Sequence, residues 1–173
     1  MSIWEYANPK KFMQTSSRAL PWVTALAVVT LLTGLIWGFF FTPEDFRQGS
    51  TVKIIYIHVP AAMMAINAWA MMLVTSLIWL IRRHHVSALA AKAAAPIGIT
   101  MTLIALFTGA IWGEPMWGTW WAWDPRLTSF LILRLFYLGY IALWAAIDNP
   151  DTAADLTSVL CLVGSIFALL SRY

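Results

Sequence analysis

Charge is scarce in this chain of 173 residues: Asp, Glu, Lys and Arg together make up 11% of it, against roughly a quarter of a soluble domain. With 61% apolar residues and a mean hydropathy of +0.73, too few polar groups remain to cover a water-facing surface, so the chain belongs in a membrane. Cysteine is nearly absent. The single Cys161 excludes an intramolecular disulfide and a Cys-x-x-Cys redox pair, and it reads as a small buried apolar residue of the last apolar run. No glycine-rich phosphate loop, repeat or low-complexity tract is present, and the polar segments are too short for a soluble domain. Nucleotide chemistry is therefore not expected of this chain, nor is a nucleic-acid partner; membrane lipid is.

What is present is a series of apolar runs, at about 20–41, 60–81, 93–110, 127–147 and 156–170. Most reach the roughly 17–25 residues that carry a helix across the hydrocarbon layer. None alternates with the period of two that a barrel strand requires. The fold expected is all-α: a polytopic integral membrane helix bundle of about five transmembrane helices, forming one membrane domain over 1–173. The first run is too long for a signal peptide and lacks a cleavage site after Phe39-Phe40-Phe41, so it is expected to remain as an anchor. Ahead of it, residues 1–19 mix Trp4, Tyr6 and Phe12 with Lys10, Lys11 and Arg18. A stretch lying in the headgroups and a free tail both fit.

Lys and Arg favour the cytoplasmic side of a membrane protein. With the N-terminus inside, the inner segments hold Lys10, Lys11, Arg18, Arg82, Arg83 and Lys92, and the outer ones hold Arg47, Lys53, Arg126 and Arg172. This bias puts the loops at 82–92 and 148–155 in the cytoplasm and the segment 112–126 outside. That outer segment is the most improbable part of the chain, because Trp112, Trp117, Trp120, Trp121 and Trp123 fall within twelve residues. Interfacial belts account for one or two indoles per helix end. Five, interleaved with Gly113, Pro115 and Gly118, suggest a platform for a large flat ligand, with the glycines admitting it close to the backbone.

Of three histidines, His84 and His85 follow Arg82 and Arg83 in the inner loop and read as a solvated corner. His58 lies in Ile54-Ile55-Tyr56-Ile57-His58-Val59-Pro60, where the chain re-enters the membrane from outside. Pro60 suits a first helical turn and biases Val59 towards extended backbone, which puts His58 at the outer surface, level with the tryptophans. Two readings are open: an interfacial histidine bonded to a loop carbonyl, or an axial ligand to haem iron. Arg126 is a bidentate partner for a ligand carboxylate such as a haem propionate, a local partner of Asp124, or a snorkelling residue at the head of the fourth span. Arg134, about two turns into the fourth run, must face water, a partner or the bundle interior.

The stretch Trp112-Gly113-Glu114-Pro115-Met116-Trp117-Gly118-Thr119-Trp120-Trp121-Ala122-Trp123-Asp124-Pro125-Arg126-Leu127-Thr128 resembles the tryptophan-rich WWD signature of the haem-handling proteins of cytochrome c biogenesis. Within that superfamily the chain is most similar to the haem exporter protein C (CcmC) family. Trp37-Gly38, Gln48-Gly49, the segment from Tyr56 to Ala62, and Ala95-Pro96-Ile97-Gly98 extend the resemblance over nearly the whole chain.

The resemblance implies a bacterial inner-membrane protein that holds haem b at its periplasmic face and delivers it to the haem chaperone CcmE. Its partners would be the ABC-type subunits CcmA and CcmB and the small membrane protein CcmD, with any ATPase activity belonging to a partner, so the chain is not expected to be an enzyme. The haem contacts would come from His58, as axial iron ligand, and from Trp112, Trp117, Trp120, Trp121, Trp123, Asp124 and Arg126. The family's second axial histidine lies in the outer loop after the fifth span, ahead of a sixth span. Its place here would be C-terminal to Tyr173, and the resemblance supplies no role for Arg134. Two other functions stay open. A haem-lyase-like protein would be larger, and a transporter passing haem through its own bundle would need polar or small residues along its spans.

Overall fold

The computed structural model describes residues 8–171 and is helical throughout, with no strand among them. Trp4, Tyr6 and Arg172 lie outside the described residues. Five helices, α1 (Pro9–Ile36), α2 (Ile55–Arg82), α3 (His85–Trp117), α4 (Pro125–Ala146) and α5 (Pro150–Leu170), are each long and apolar enough to cross a membrane. The chain is a polytopic membrane helix bundle. Hydrocarbon offers the backbone no partner, so each span satisfies its amides internally, as a helix does.

Three helices start from the same local device. Asn8-Pro9, Asp124-Pro125 and Asn149-Pro150 each set a capping side chain before a first-turn proline, and the cap accepts from Lys10 N at 3.0 Å, Leu127 N at 2.7 Å, and Asp151 N and Thr152 N at 3.0 and 3.1 Å. The proline contributes no amide where none is needed, and the Asn or Asp oxygen takes up those that follow.

The helices reach further than the apolar runs. The connection expected over 82–92 shrinks to Arg83 and His84, with Arg83 left-handed at φ 52°, because the alanine-rich residues after it are strong helix formers. Lys92 is accordingly helical. The loop over 148–155 shrinks to 147–149, where Asn149-Pro150 starts α5. Residues 9–19 are the opening turns of α1 and not a separate surface stretch. In the tryptophan segment, α3 continues through Pro115 to Trp117 and ends on Gly118, left-handed at φ 69°. Trp112 and Trp117 are therefore helical, and only the residues from Gly118 to Asp124 form a loop.

Val59 is helical as well, contrary to the bias exerted by Pro60. A 3-10 turn, Ser50–Ile54, leads directly into α2, so Pro60 falls in the second turn of a helix already under way. The pre-proline bias is a steric preference, and contacts of this segment with α3 offset it.

Packing makes α2–α5 one body, with α1 beside it. The buried core is rich in alanine, with Ala61, Ala65 and Ala68 on α2 and Ala91, Ala94, Ala95 and Ala105 on α3, and it is filled by Trp69, Met72, Leu133, Tyr137 and Tyr140. Trp69 meets Tyr137 edge-on at 4.7 Å and 88°, and its indole N–H donates to Ser165 Oγ at 3.1 Å. The Tyr137 hydroxyl donates to the Ala65 carbonyl at 2.7 Å. Small residues at these crossings let the backbones close, as in other membrane bundles. By contrast α1 has no buried residue; just beyond it, in the π-helical turn Trp37–Phe41, Gly38 seats the Tyr56 ring and the Phe39 carbonyl accepts from Lys53 Nζ at 2.9 Å.

Two opposite ends are defined by polar contacts. At one, Arg83 and Trp79 Nε1 both bond Asp155, and His85 stands 3.8 Å from Asp151, so the α2–α3 and α4–α5 connections share a face. At the other, Trp112 Nε1 donates to Gln48 Oε1 at 2.6 Å, joining the α1–α2 connection to the end of α3. Gly98 faces the Tyr137 phenol so closely that any Cβ would overlap it. Gly98→Ala should therefore cost about 1–3 kcal/mol by overpacking, measurable as a fall in the unfolding midpoint in detergent micelles. Gly34→Ala, with nothing within 4 Å of the added carbon, should leave the midpoint close to that of the parent.

Candidate functional site

His58 projects from α2 onto α3. Its Nδ1 lies 3.0 Å from the Ala105 carbonyl and 3.2 Å from Thr108 Oγ1. The carbonyl can only accept, so Nδ1 carries the proton, and the Thr108 hydroxyl is itself engaged with the Ile104 carbonyl at 2.7 Å. Nε2, with no hydrogen bond among the described residues, keeps its lone pair. A ring nitrogen held by a backbone carbonyl while the other is free is the arrangement that orients imidazole ligands to metals. The carbonyl belongs to the helix α3 and not to a loop.

Two glycines of α3, one turn apart, seat the aromatic groups of this region. A Cβ on Gly109 would stand 2.8 Å from His58 Cε1, and one on Gly113 would stand 3.0 Å from the Trp117 ring. Trp117 thus folds back along α3 over Gly113, in the direction helical side chains take. The platform expectation assigned Gly113 and Gly118 to the approach of a ligand. In the structure Trp117 fills the space at Gly113, while Gly118 serves as the left-handed end of α3.

Together these groups line a cleft of about 260 Å³ whose walls include His58, Trp112, Trp117, Arg126, Leu106 and Phe130. The His58 and Trp112 rings lie 5.7 Å apart at 57°. Arg126, exposed on the first turn of α4, makes no ion pair or side-chain hydrogen bond among the described residues. Its guanidinium is available for a bidentate anion.

The other tryptophans are elsewhere. Trp121 and Trp123 meet edge to face at 5.7 Å and line a separate shallow groove with Leu103, Leu106, Phe107 and Leu131. Trp120, 61% exposed, lines neither cavity. Asp124 caps α4, its carboxylate on Leu127 N, and does not pair with Arg126. Arg134 donates to the Ile99 carbonyl at 3.2 Å. His84 Nδ1 meets Ser87 Oγ at 2.9 Å and His85 packs beside Trp79, both at the opposite end.

Sequence reasoning had no handle on Gly109, Ala105 or Thr108, because nothing within one helix announces which turn a histidine of another helix will touch. Gln48, which holds the Trp112 indole, was visible only as part of the family resemblance. Among the described residues no three His, Cys, Asp or Glu side chains converge to hold a bare metal ion. One imidazole among indoles suits a metal that arrives in a flat chelate of its own.

Gly109→Ala should push the His58 ring off its seat and break its bond to Ala105. The expected result is a loss of about 1–3 kcal/mol and a changed emission from Trp112, its neighbour; an unaltered midpoint and spectrum would count against the seat.

Comparison with known proteins identifies the family. A family model described as Heme exporter protein C matches residues 2–173. The Heme exporter protein C of Rhodobacter capsulatus is 80% identical over 173 residues, which is all of this chain and 72% of the relative. That of Paracoccus denitrificans is 79% identical over the same span, 71% of its length. The Escherichia coli K12 protein of that name is 44% identical over 165 residues, 95% of this chain and 67% of the relative. The chain belongs to the Heme exporter protein C family.

Proposed function

We propose that this member of the Heme exporter protein C family handles haem in cytochrome c maturation: it holds haem b at the periplasmic face of the bacterial inner membrane and delivers it to the chaperone CcmE. In this reading it works with CcmA, CcmB and CcmD in an ABC-type complex, in which the ATPase is a partner, and it performs no catalysis of its own. The Lys and Arg bias supports a cytoplasmic N-terminus. The end carrying His58 and the tryptophans then faces the periplasm.

The observation that carries the proposal is His58 with its Nδ1 tied to the Ala105 carbonyl, beside Trp112, Trp117 and Arg126, whose guanidinium has no ion pair among the described residues. These residues fit haem by their chemistry. Nε2 is the lone pair an axial position needs, the indoles offer faces and edges to a macrocycle, and Arg126 matches a propionate. At about 260 Å³ the cleft falls a little below the range of about 300–1,000 Å³ in which small molecules are enclosed. Haem would be held in part outside it, against the exposed indoles Trp117 and Trp120. Partial exposure is what a protein that gives its ligand away requires, because an enclosed haem would leave slowly.

Purified from a strain that makes haem, the parent protein should carry a Soret band. His58→Ala should lose most of that band and the transfer of haem to CcmE, whereas the double substitution His84→Ala with His85→Ala should retain both. Trp112→Ala or Trp117→Ala should weaken binding by about 0.5–1.5 kcal/mol beyond lost area, roughly two- to tenfold in Kd. Trp120→Ala should weaken it less. Equal haem content in parent and His58→Ala would exclude the assignment.

A further inference from the structure

Two shallow hollows lie along the contact of α3 with α4. Leu103 and Phe107 of α3 and Leu131 of α4 line one of them, Lys92 and Pro96 of α3 and Ile141 of α4 line the other, and Ile99, Arg134 and Leu138 fall between these residues at steps of three or four along the same two helices. Such spacing keeps each set on one helix face. The first, a groove of about 430 Å³, lies beneath Trp121 and Trp123 at the end that holds the cleft, and the second, of about 280 Å³, lies beside Lys92 and Trp144 towards the other end.

Three features make the first hollow more than a lipid contact. Arg134 stands nine residues from the start of α4, about 14 Å along it, one turn beyond Leu131 of the groove, and among the described residues only one of its five N–H donors is bonded, to the Ile99 carbonyl. The indole N–H of Trp121, which lines the hollow, is buried without an acceptor. And Leu106 lines both this hollow and the His58 cleft, so the two cavities are neighbours across α3.

Resting on the haem reading above, we infer that this groove is the entrance by which haem reaches His58 from the bilayer. The macrocycle lies against Leu103, Phe107, Leu131 and the Trp121–Trp123 pair while a propionate is held by Arg134, and it passes Leu106 into the cleft. A cation deep in hydrocarbon calls for an anion. A partner helix carrying a carboxylate is the less suitable occupant, because close helix contact needs small residues and this wall is Leu, Phe and Trp. A flat apolar acid meets both the rings and the charge.

The test is loading from the membrane: the full chain in phosphatidylcholine vesicles is mixed with vesicles doped with haem, and growth of the Soret band is followed. Arg134→Gln should load about tenfold more slowly, the effect of one charge-assisted hydrogen bond, and reach the parent's final spectrum, with Arg134→Lys in between. As a check free of folding differences, Leu103→Cys should load like the parent until a bulky maleimide is attached, and then slowly; the native Cys161 is fully buried. If the parent gains no band, or gains one that His58→Ala gains equally, the haem reading fails. If loading depends on His58 while Arg134→Gln and the labelled Leu103→Cys load at the parent's rate, the entrance is refuted and the haem reading stands.

Discussion

The approach of α2 to α3 is the contact on which the rest depends. The bond from His58 Nδ1 to the Ala105 carbonyl spans 47 positions of sequence, and it exists only because the two helices cross on alanines, with Ala61, Ala65, Ala91, Ala94, Ala95 and Ala105 in the seam. In a bilayer no hydrophobic gain separates one apolar side chain from another, so close backbone packing and the few interhelical hydrogen bonds supply the association. The Tyr137 hydroxyl on the Ala65 carbonyl and the Trp69 indole on Ser165 are bonds of that kind.

From that seam the cleft is built one turn at a time. Gly109 leaves room for the imidazole and Gly113 for the Trp117 indole, so residues that carry no chemistry decide where the chemistry-bearing rings stand. The length of α3 matters as much. Thirty-three residues rise about 50 Å, about 20 Å more than the hydrocarbon needs, and the excess is available to carry Trp112 and Trp117 to the level of the α1–α2 connection. There Gln48 holds the Trp112 indole.

The five tryptophans, uniform as a motif, divide in space. Two line the His58 cleft, two line the lipid-facing groove, and one is exposed in neither. Trp112 and Trp117 belong to α3, whereas Trp120, Trp121 and Trp123 fall in the loop that ends at Asp124, the cap of α4. The charged residues divide likewise, Arg126 at the cleft and Arg134 on the Ile99 carbonyl of α3.

Composition and run length alone determined that this is a membrane bundle of five helical spans, because transfer of polar backbone into hydrocarbon leaves a chain of this hydropathy no other regular structure. The family was also readable there, since the tryptophan segment and the residues around His58 form a contiguous pattern. Helix ends were readable only in part. The Asn-Pro and Asp-Pro caps are local signals, whereas the helical Val59 and the continuation of α3 through Pro115 depend on neighbours distant in sequence. Which tryptophans share a cavity with His58, which carbonyl orients its ring, and which glycines make room for both were decided by tertiary structure alone. The reason is geometric: a helix sequence shows which residues share a face, but the partner for that face is chosen by how closely two separate helices can pack.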